Sequence, residues 1–96
     1  MKIEGFSNPR PNLIVSSRGF SVEILGRTGM QYSEGERSLF VDSEVLAIPN
    51  AMALYSDSLT SWGPPHGTPL SEAERTRIFD NIRRALRFKG YDLQVI

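Results

Sequence analysis

The stretch from Tyr55 to Glu74 constrains this chain most, because Trp62-Gly63-Pro64-Pro65-His66-Gly67-Thr68-Pro69 runs straight into Ser71-Glu72-Ala73-Glu74. Proline lacks a backbone donor and glycine tolerates positive φ, so the first part reads as a turn-rich connection and not as helix or strand. The second part is a helix start. Ser71 with Glu74 three residues later forms a capping box, in which each side chain bonds the other residue's backbone N–H. Ile78, Phe79, Ile82, Ala85 and Leu86 then recur at steps of three and four, giving one apolar stripe. Glu72 and Glu74 sit at the positive end of the helix dipole and Arg83, Arg84, Arg87 and Lys89 at the negative end, each favourable by roughly 0.3 to 1 kcal/mol. Gly90 follows as a C-terminal cap, so a helix over residues 71–89 is predicted.

Everything before the turn has a different period. Asn12 to Ser17 reads as a first strand, stopped by Arg18-Gly19, and Phe20, Val22 and Ile24 alternate with Ser21 and Glu23. That alternation marks a half-buried antiparallel strand. Gly26-Arg27-Thr28-Gly29 places two residues tolerant of positive φ within one tight reversal, and Met30 to Ser33 continues as a third strand. Glu34-Gly35-Glu36 reverses the chain again into Arg37–Val41, with Asp42-Ser43 as its end. Glu44 to Ile48 is a short apolar strand broken by Pro49-Asn50, and Met52 to Tyr55 closes the meander. Turns this closely spaced leave no room for parallel crossovers before residue 70. Past the helix, Tyr91, Leu93 and Val95 alternate with Asp92 and Gln94, predicting a last strand that returns to the sheet.

The expected fold is therefore α+β: an antiparallel β-meander of five or six short strands packed against one C-terminal helix, with a final strand after it. Within a single domain over residues 1–96, residues 1–11 are expected as a loosely ordered N-terminal segment, since Asn8-Pro9-Arg10-Pro11 disfavours pairing. Residues 12–55 form the meander, 56–70 the connection, 71–89 the helix and 91–96 the terminal strand. A chain of 96 residues buries about 65% of the surface that its unfolded form exposes, so its core is small.

Composition excludes several classes of function. No apolar run approaches the ~18 residues of a membrane span, and Glu4 and Gly5 interrupt the opening where a secretory signal has its apolar centre. The chain has no cysteine, which removes disulfides, thiolate zinc sites and cysteine nucleophiles and suits a cytoplasmic location. Eleven basic and eleven acidic residues balance, which argues against coating nucleic acid or an anionic membrane through net charge. The distribution is uneven. Residues 1–70 carry five basic and seven acidic groups, and residues 71–96 carry six basic and four acidic.

Candidate chemistry is sparse. His66 is the single histidine and lies in the turn; no Ser-His-Asp order, metal-ligand spacing or phosphate-cradling glycine loop accompanies it, and it reads as a turn residue. Glu34, Glu36, Asp42 and Glu44 cluster in sequence but match no calcium loop, so they read as solvated turns suited to meeting a basic partner. The helix arginines Arg75, Arg77, Arg83, Arg84 and Arg87 spread around the polar surface among Glu72, Glu74 and Asp80, which favours a solvated face over a phosphate-binding stripe. Trp62 either covers the end of the sheet beneath the connection or anchors an interface, where tryptophan is over-represented.

Gly26-Arg27-Thr28-Gly29 with Tyr32 and Glu34-Gly35, then Asp42 to Leu46, then Tyr55-Ser56-Asp57-Ser58 with Trp62 and Pro64-Pro65, and finally the helix from Ser71 to Ile82, together resemble the immunity protein 74 family of bacterial polymorphic toxin systems. The resemblance covers residues 12–96. It implies a small cytoplasmic, non-catalytic protein that binds and neutralises a cognate toxin protein, and the residues themselves offer no cofactor or metal site. From the residues themselves, Glu34, Glu36, Tyr55, Asp57 and Trp62 are the expected contact face, since acids steer a basic partner and aromatic rings supply buried area. Two other readings stand beside it: a self-associating domain forming a homodimer through sheet edges, and a nucleic-acid binder acting through the helix arginines.

Overall fold

The computed structural model describes residues 5–47, 50–63 and 67–96. His66 lies outside them, as do Ile48, Pro49, Pro64 and Pro65. Five antiparallel strands, β1 (Phe6–Arg10), β2 (Leu13–Ser16), β3 (Phe20–Ile24), β4 (Met30–Glu34) and β5 (Arg37–Val41), form one sheet in the order β1-β2-β3-β4-β5. Three more, β6 (Ser43–Val45), β7 (Ala51–Leu54) and β8 (Asp92–Val95), form a second sheet in the order β6-β7-β8. A 3-10 turn at Ser56–Ser58 and the helix α1 (Glu72–Phe88) connect β7 to β8. The α+β class is as the sequence predicts, with one C-terminal helix and a strand after it.

The core lies between the first sheet and the helix. Ile14, Phe20, Val22, Met30, Tyr32, Leu39 and Val41 are buried on the strands at every second position, and Ile78, Ile82, Ala85 and Leu86 complete the core from α1. Both periods seen in the sequence thus converge on one apolar interior. Aromatic rings cross it in a row, with centroids 6.1 Å apart for Phe6–Phe20, 5.8 Å for Phe20–Tyr32 and 6.3 Å for Tyr32–Trp62. Ser71 caps the helix as predicted: its side chain accepts from the Glu74 N–H at 3.1 Å, and the Glu74 carboxylate accepts from the Ser71 N–H at 3.0 Å.

Four expectations need correction. The N-terminal segment is not loose from Phe6 onward: Phe6 pairs with Ser16 and Ser7 with Val15, making β1 an edge strand. Proline is tolerated there because an edge leaves one side of the ladder unpaired, and the register shifts between Ser7 and Arg10 where Pro9 falls. The Asn8 amide holds that irregularity by donating to the Arg10 and Leu13 carbonyls.

Second, the meander ends at β5. Asp42 carries the chain into the other sheet, where Ser43 pairs with Leu54 and Val45 with Met52. Third, the final strand does not return to the first sheet. It pairs parallel with β7, Ala51 against Asp92 and Leu54 against Val95, so β7, α1 and β8 form a parallel crossover with the helix as its connection. Fourth, the two glycines of the β3–β4 turn serve different ends. Gly26 has φ of 131°, whereas Gly29 is buried, and a Cβ there would lie 2.6 Å from the Phe40 ring. Gly29 makes room for the Phe40 ring above it and is not placed there for its dihedral angle.

Candidate protein-binding face

The five residues expected at a contact face separate into two places, and two of them are structural. Glu34, at the end of β4, accepts the Tyr32 hydroxyl at 2.7 Å and the Arg77 guanidinium through Nε at 3.1 Å and Nη2 at 2.6 Å. The Tyr32 hydroxyl in turn accepts the buried Asn81 amide at 2.8 Å, and Asn81 Oδ1 accepts Arg84. Burial foremost pushes the Tyr32 phenol up, and the bond from Glu34 raises Arg77. A carboxylate engaged by three donors ties the first sheet to α1 and has little left for a partner.

Trp62 is likewise internal, at 3% exposure. Its Nε1–H donates to Glu74 at 3.2 Å, and the Arg37 guanidinium lies 5.4 Å over its ring. Burial rules out Trp62 as a surface anchor and assigns it to the core beneath the connection. Glu74 gathers the Ser71 N–H, the Trp62 indole and Arg37 at 3.3 Å. The Ser71 backbone bond, followed by that from Trp62, holds its carboxyl below the usual glutamate range. Glu36 is exposed in the β4–β5 turn.

Tyr55 and Asp57 lie at the opposite end of β5. The five residues Arg37–Val41 separate the two groups by about 13 Å at the usual rise per residue. The Tyr55 N–H donates to the Asp42 carbonyl at 3.0 Å, and its hydroxyl donates to Glu44 at 3.1 Å. Glu44 chiefly, with a smaller push from Asp42, raises the Tyr55 phenol. Ser58 Oγ accepts the Asp42 N–H at 3.0 Å and donates to the Tyr55 carbonyl at 2.8 Å, clamping the 3-10 turn that presents Asp57.

Three residues absent from the expected contact set complete this region. From Leu39 to Glu44 burial alternates without a break: Leu39, Val41 and Ser43 are inside, and Phe40, Asp42 and Glu44 are outside. Phe40 on β5, Asp42 in the connection and Glu44 on β6 therefore all stand at the surface, beside Tyr55 and the turn that carries Asp57. Val45 and Leu25 add exposed apolar area, and the Val45 N–H bonds the Arg27 carbonyl at the rim. The sequence does not signal this alternation, because Leu39-Phe40-Val41 is uniformly apolar and Asp42-Ser43-Glu44 uniformly polar, which reads as a strand followed by a turn.

On the helix side several charged side chains are paired within the chain. A cleft of about 410 Å³ between β3, β4 and α1 is lined by Arg18, Phe20, Glu34, Arg77, Asp80, Asn81 and Arg84. Glu34 there is paired with Arg77, and Asp80 with Arg84 at 3.0 Å. Arg75 donates to the Leu59 carbonyl, so three of the five helix arginines are bound within the protein. Among the described residues no group of three or more His, Cys, Asp or Glu side chains is placed to hold a metal ion. No described helix is long and apolar enough to cross a membrane.

The chain is thus a small α+β domain with acidic and aromatic side chains gathered at the β5–β6 end of its surface. The chain is a member of the immunity protein 74 family, whose model matches residues 21–96, from β3 through β8. No curated protein and no solved structure matches it.

Proposed function

We propose that this protein neutralises a cognate bacterial toxin by binding it directly, in the cytoplasm and without chemistry of its own. Family membership supplies the class of function. The strip formed by Phe40, Asp42, Glu44, Tyr55 and Asp57 is the observation that carries the mechanism. An exposed Phe40 ring and a half-buried Tyr55 beside carboxylates fit a partner with a basic surface: the acids accelerate encounter, and the rings supply area that leaves water on docking. Tyr55 and the 3-10 turn are hydrogen-bonded to the β5–β6 connection before any partner arrives, so little ordering cost remains. Occlusion of the toxin's working surface is then sufficient for protection. Glu36 and the first sheet's turn fall outside this contact, and Glu34 and Trp62 contribute by holding the fold.

Co-expression with the toxin encoded beside it tests the function. Growth is restored and the two proteins purify together; a toxin that still kills, with no complex recovered, ends the assignment.

A further inference from the structure

We infer that β8 is a self-pairing edge through which two copies of this chain join into a two-fold dimer. Two sheets have four outer edges, and three of these carry a blocking device within the chain. On β1, Pro9 has no donor and the register slips, with Asn8 bridging the gap and receiving Lys89 at 2.9 Å. The outer side of β5 receives the Gly63 N–H on the Ser38 carbonyl at 3.0 Å. On β6, the outward Val45 N–H is taken by the Arg27 carbonyl at 2.9 Å.

The fourth edge has no such device. Asp92 donates to the Asn50 carbonyl and Ile96 to the Leu54 carbonyl, so the even-numbered residues of β8 face β7. By the alternation of a strand, the N–H and C=O groups of Leu93 and Val95 face outward. Among the described residues nothing pairs with them. Apolar side chains stand beside them where a solitary edge would carry charge: Val95 is 42% exposed and Ile96 62%. β8 contains neither proline nor lysine.

The strand's own sequence selects a second copy as the occupant. In an antiparallel pair centred on Gln94, Leu93 meets Val95 of the second copy and Val95 meets its Leu93, each as a hydrogen-bonded pair, for about four backbone bonds. Asp92 falls opposite Ile96, and Gln94 opposite Gln94, where two amides donate and accept reciprocally. Asp92 is the only charge on the strand and is set about four residues from its symmetry mate, so no like charges oppose. The result is a continuous six-stranded sheet, β6-β7-β8 from each copy, with an isologous interface.

Sedimentation equilibrium on the purified protein alone, without any toxin, is the test. The parent chain is expected to be a concentration-dependent dimer. Val95→Pro removes an outward donor and no bond to β7, so it is expected to weaken association at least tenfold while leaving the circular dichroism spectrum unchanged, and the melting temperature unchanged at concentrations where the parent too is monomeric. Val95→Lys tests the same edge through charge and without altering the backbone. A parent that stays monomeric at about 1 mM overturns the proposal, and so does a dimer that both variants leave intact. Since no toxin is present, either result leaves the neutralisation reading standing. A monomeric parent whose toxin binding is lost on Val95→Pro would reassign the edge to the toxin and equally overturn self-pairing.

Discussion

Two side-chain networks decide where polar atoms are spent in this protein. Tyr32, Glu34, Arg77 and Asn81 join sheet to helix, and Tyr32→Phe strips the buried Asn81 Nδ2 of its acceptor and Glu34 of one donor. A buried group left unmatched costs about 1 to 3 kcal/mol, which a urea titration of the variant reads directly. Unchanged stability would mean that Asn81 finds another acceptor. Glu74 is the centre of the second network. Its carboxyl is held below the ordinary glutamate value of 4.5, so its contribution is full above that value and is lost as pH falls through the depressed folded one. Thermal melts of the parent and of Glu74→Gln should therefore converge on acidification below about pH 4.5 and diverge above it. A constant gap across that range would show that the carboxylate's charge is not what Ser71, Trp62 and Arg37 recognise. The role of Glu34 was not legible in the sequence, where it sits in an apparent turn and is claimed by Arg77 and Tyr32; Trp62 allowed both a covering role beneath the connection and an anchoring one, and its burial with Glu74 and Arg37 selects the first. Partners reached across the fold leave no local mark.

At the scale of elements, local signals were read well and distant ones poorly. The capping box and apolar stripe located α1, and the alternation of Phe20, Val22 and Ile24 located β3, because both follow from dihedral periods confined to a few residues. Ser71→Ala removes the side-chain half of the cap and should destabilise the protein by about 0.5 to 2 kcal/mol in denaturant unfolding, with helical circular dichroism retained at low denaturant. A loss well below that range would show that the Trp62 and Arg37 bonds to Glu74 secure the helix start alone. Strand pairing is a different kind of information. The sequence changes from Leu39-Phe40-Val41 to Asp42-Ser43-Glu44, which reads as the end of a strand, and nothing in it announces that the chain continues at Ser43 as a strand of the second sheet. β8 looks like any half-buried strand, yet its neighbour is β7, more than thirty positions earlier, in parallel orientation. β1 was missed because its prolines normally argue against a strand, an argument that weakens at an edge.

The whole molecule is neutral, and its balance conceals a division that matters for binding. Arg77 and Arg84 of the helix are paired within the chain, on Glu34 and Asp80, whereas Asp42, Glu44 and Asp57 stand at the surface with Phe40 and Tyr55. Glu44 and Gln94 flank Ala53 on the same side of the second sheet. Pairing through β8 would therefore extend that side across two copies and carry Glu44 of each onto one continuous surface, enabling a dimer to engage two toxin molecules. The acidic strip predicts a specific kinetic outcome. The combined variant Asp42→Asn, Glu44→Gln and Asp57→Asn keeps the side-chain shapes and lets the Tyr55 hydroxyl still find an acceptor, so folding stability should stay within about 0.5 kcal/mol of the parent. Toxin association, followed by stopped flow or surface plasmon resonance, should slow by about tenfold or more at low salt, because steering by a field of one sign acts on encounter. Near 1 M salt, where screening shortens the field to about 3 Å, the rates of parent and variant should approach each other. Equal rates at low salt would place the toxin on another face. Phe40→Ala separates the remaining component, since an exposed ring that packs on a partner slows dissociation and contributes nothing to steering; loss of affinity through the off-rate, at unchanged association rate, is the result expected of an anchor.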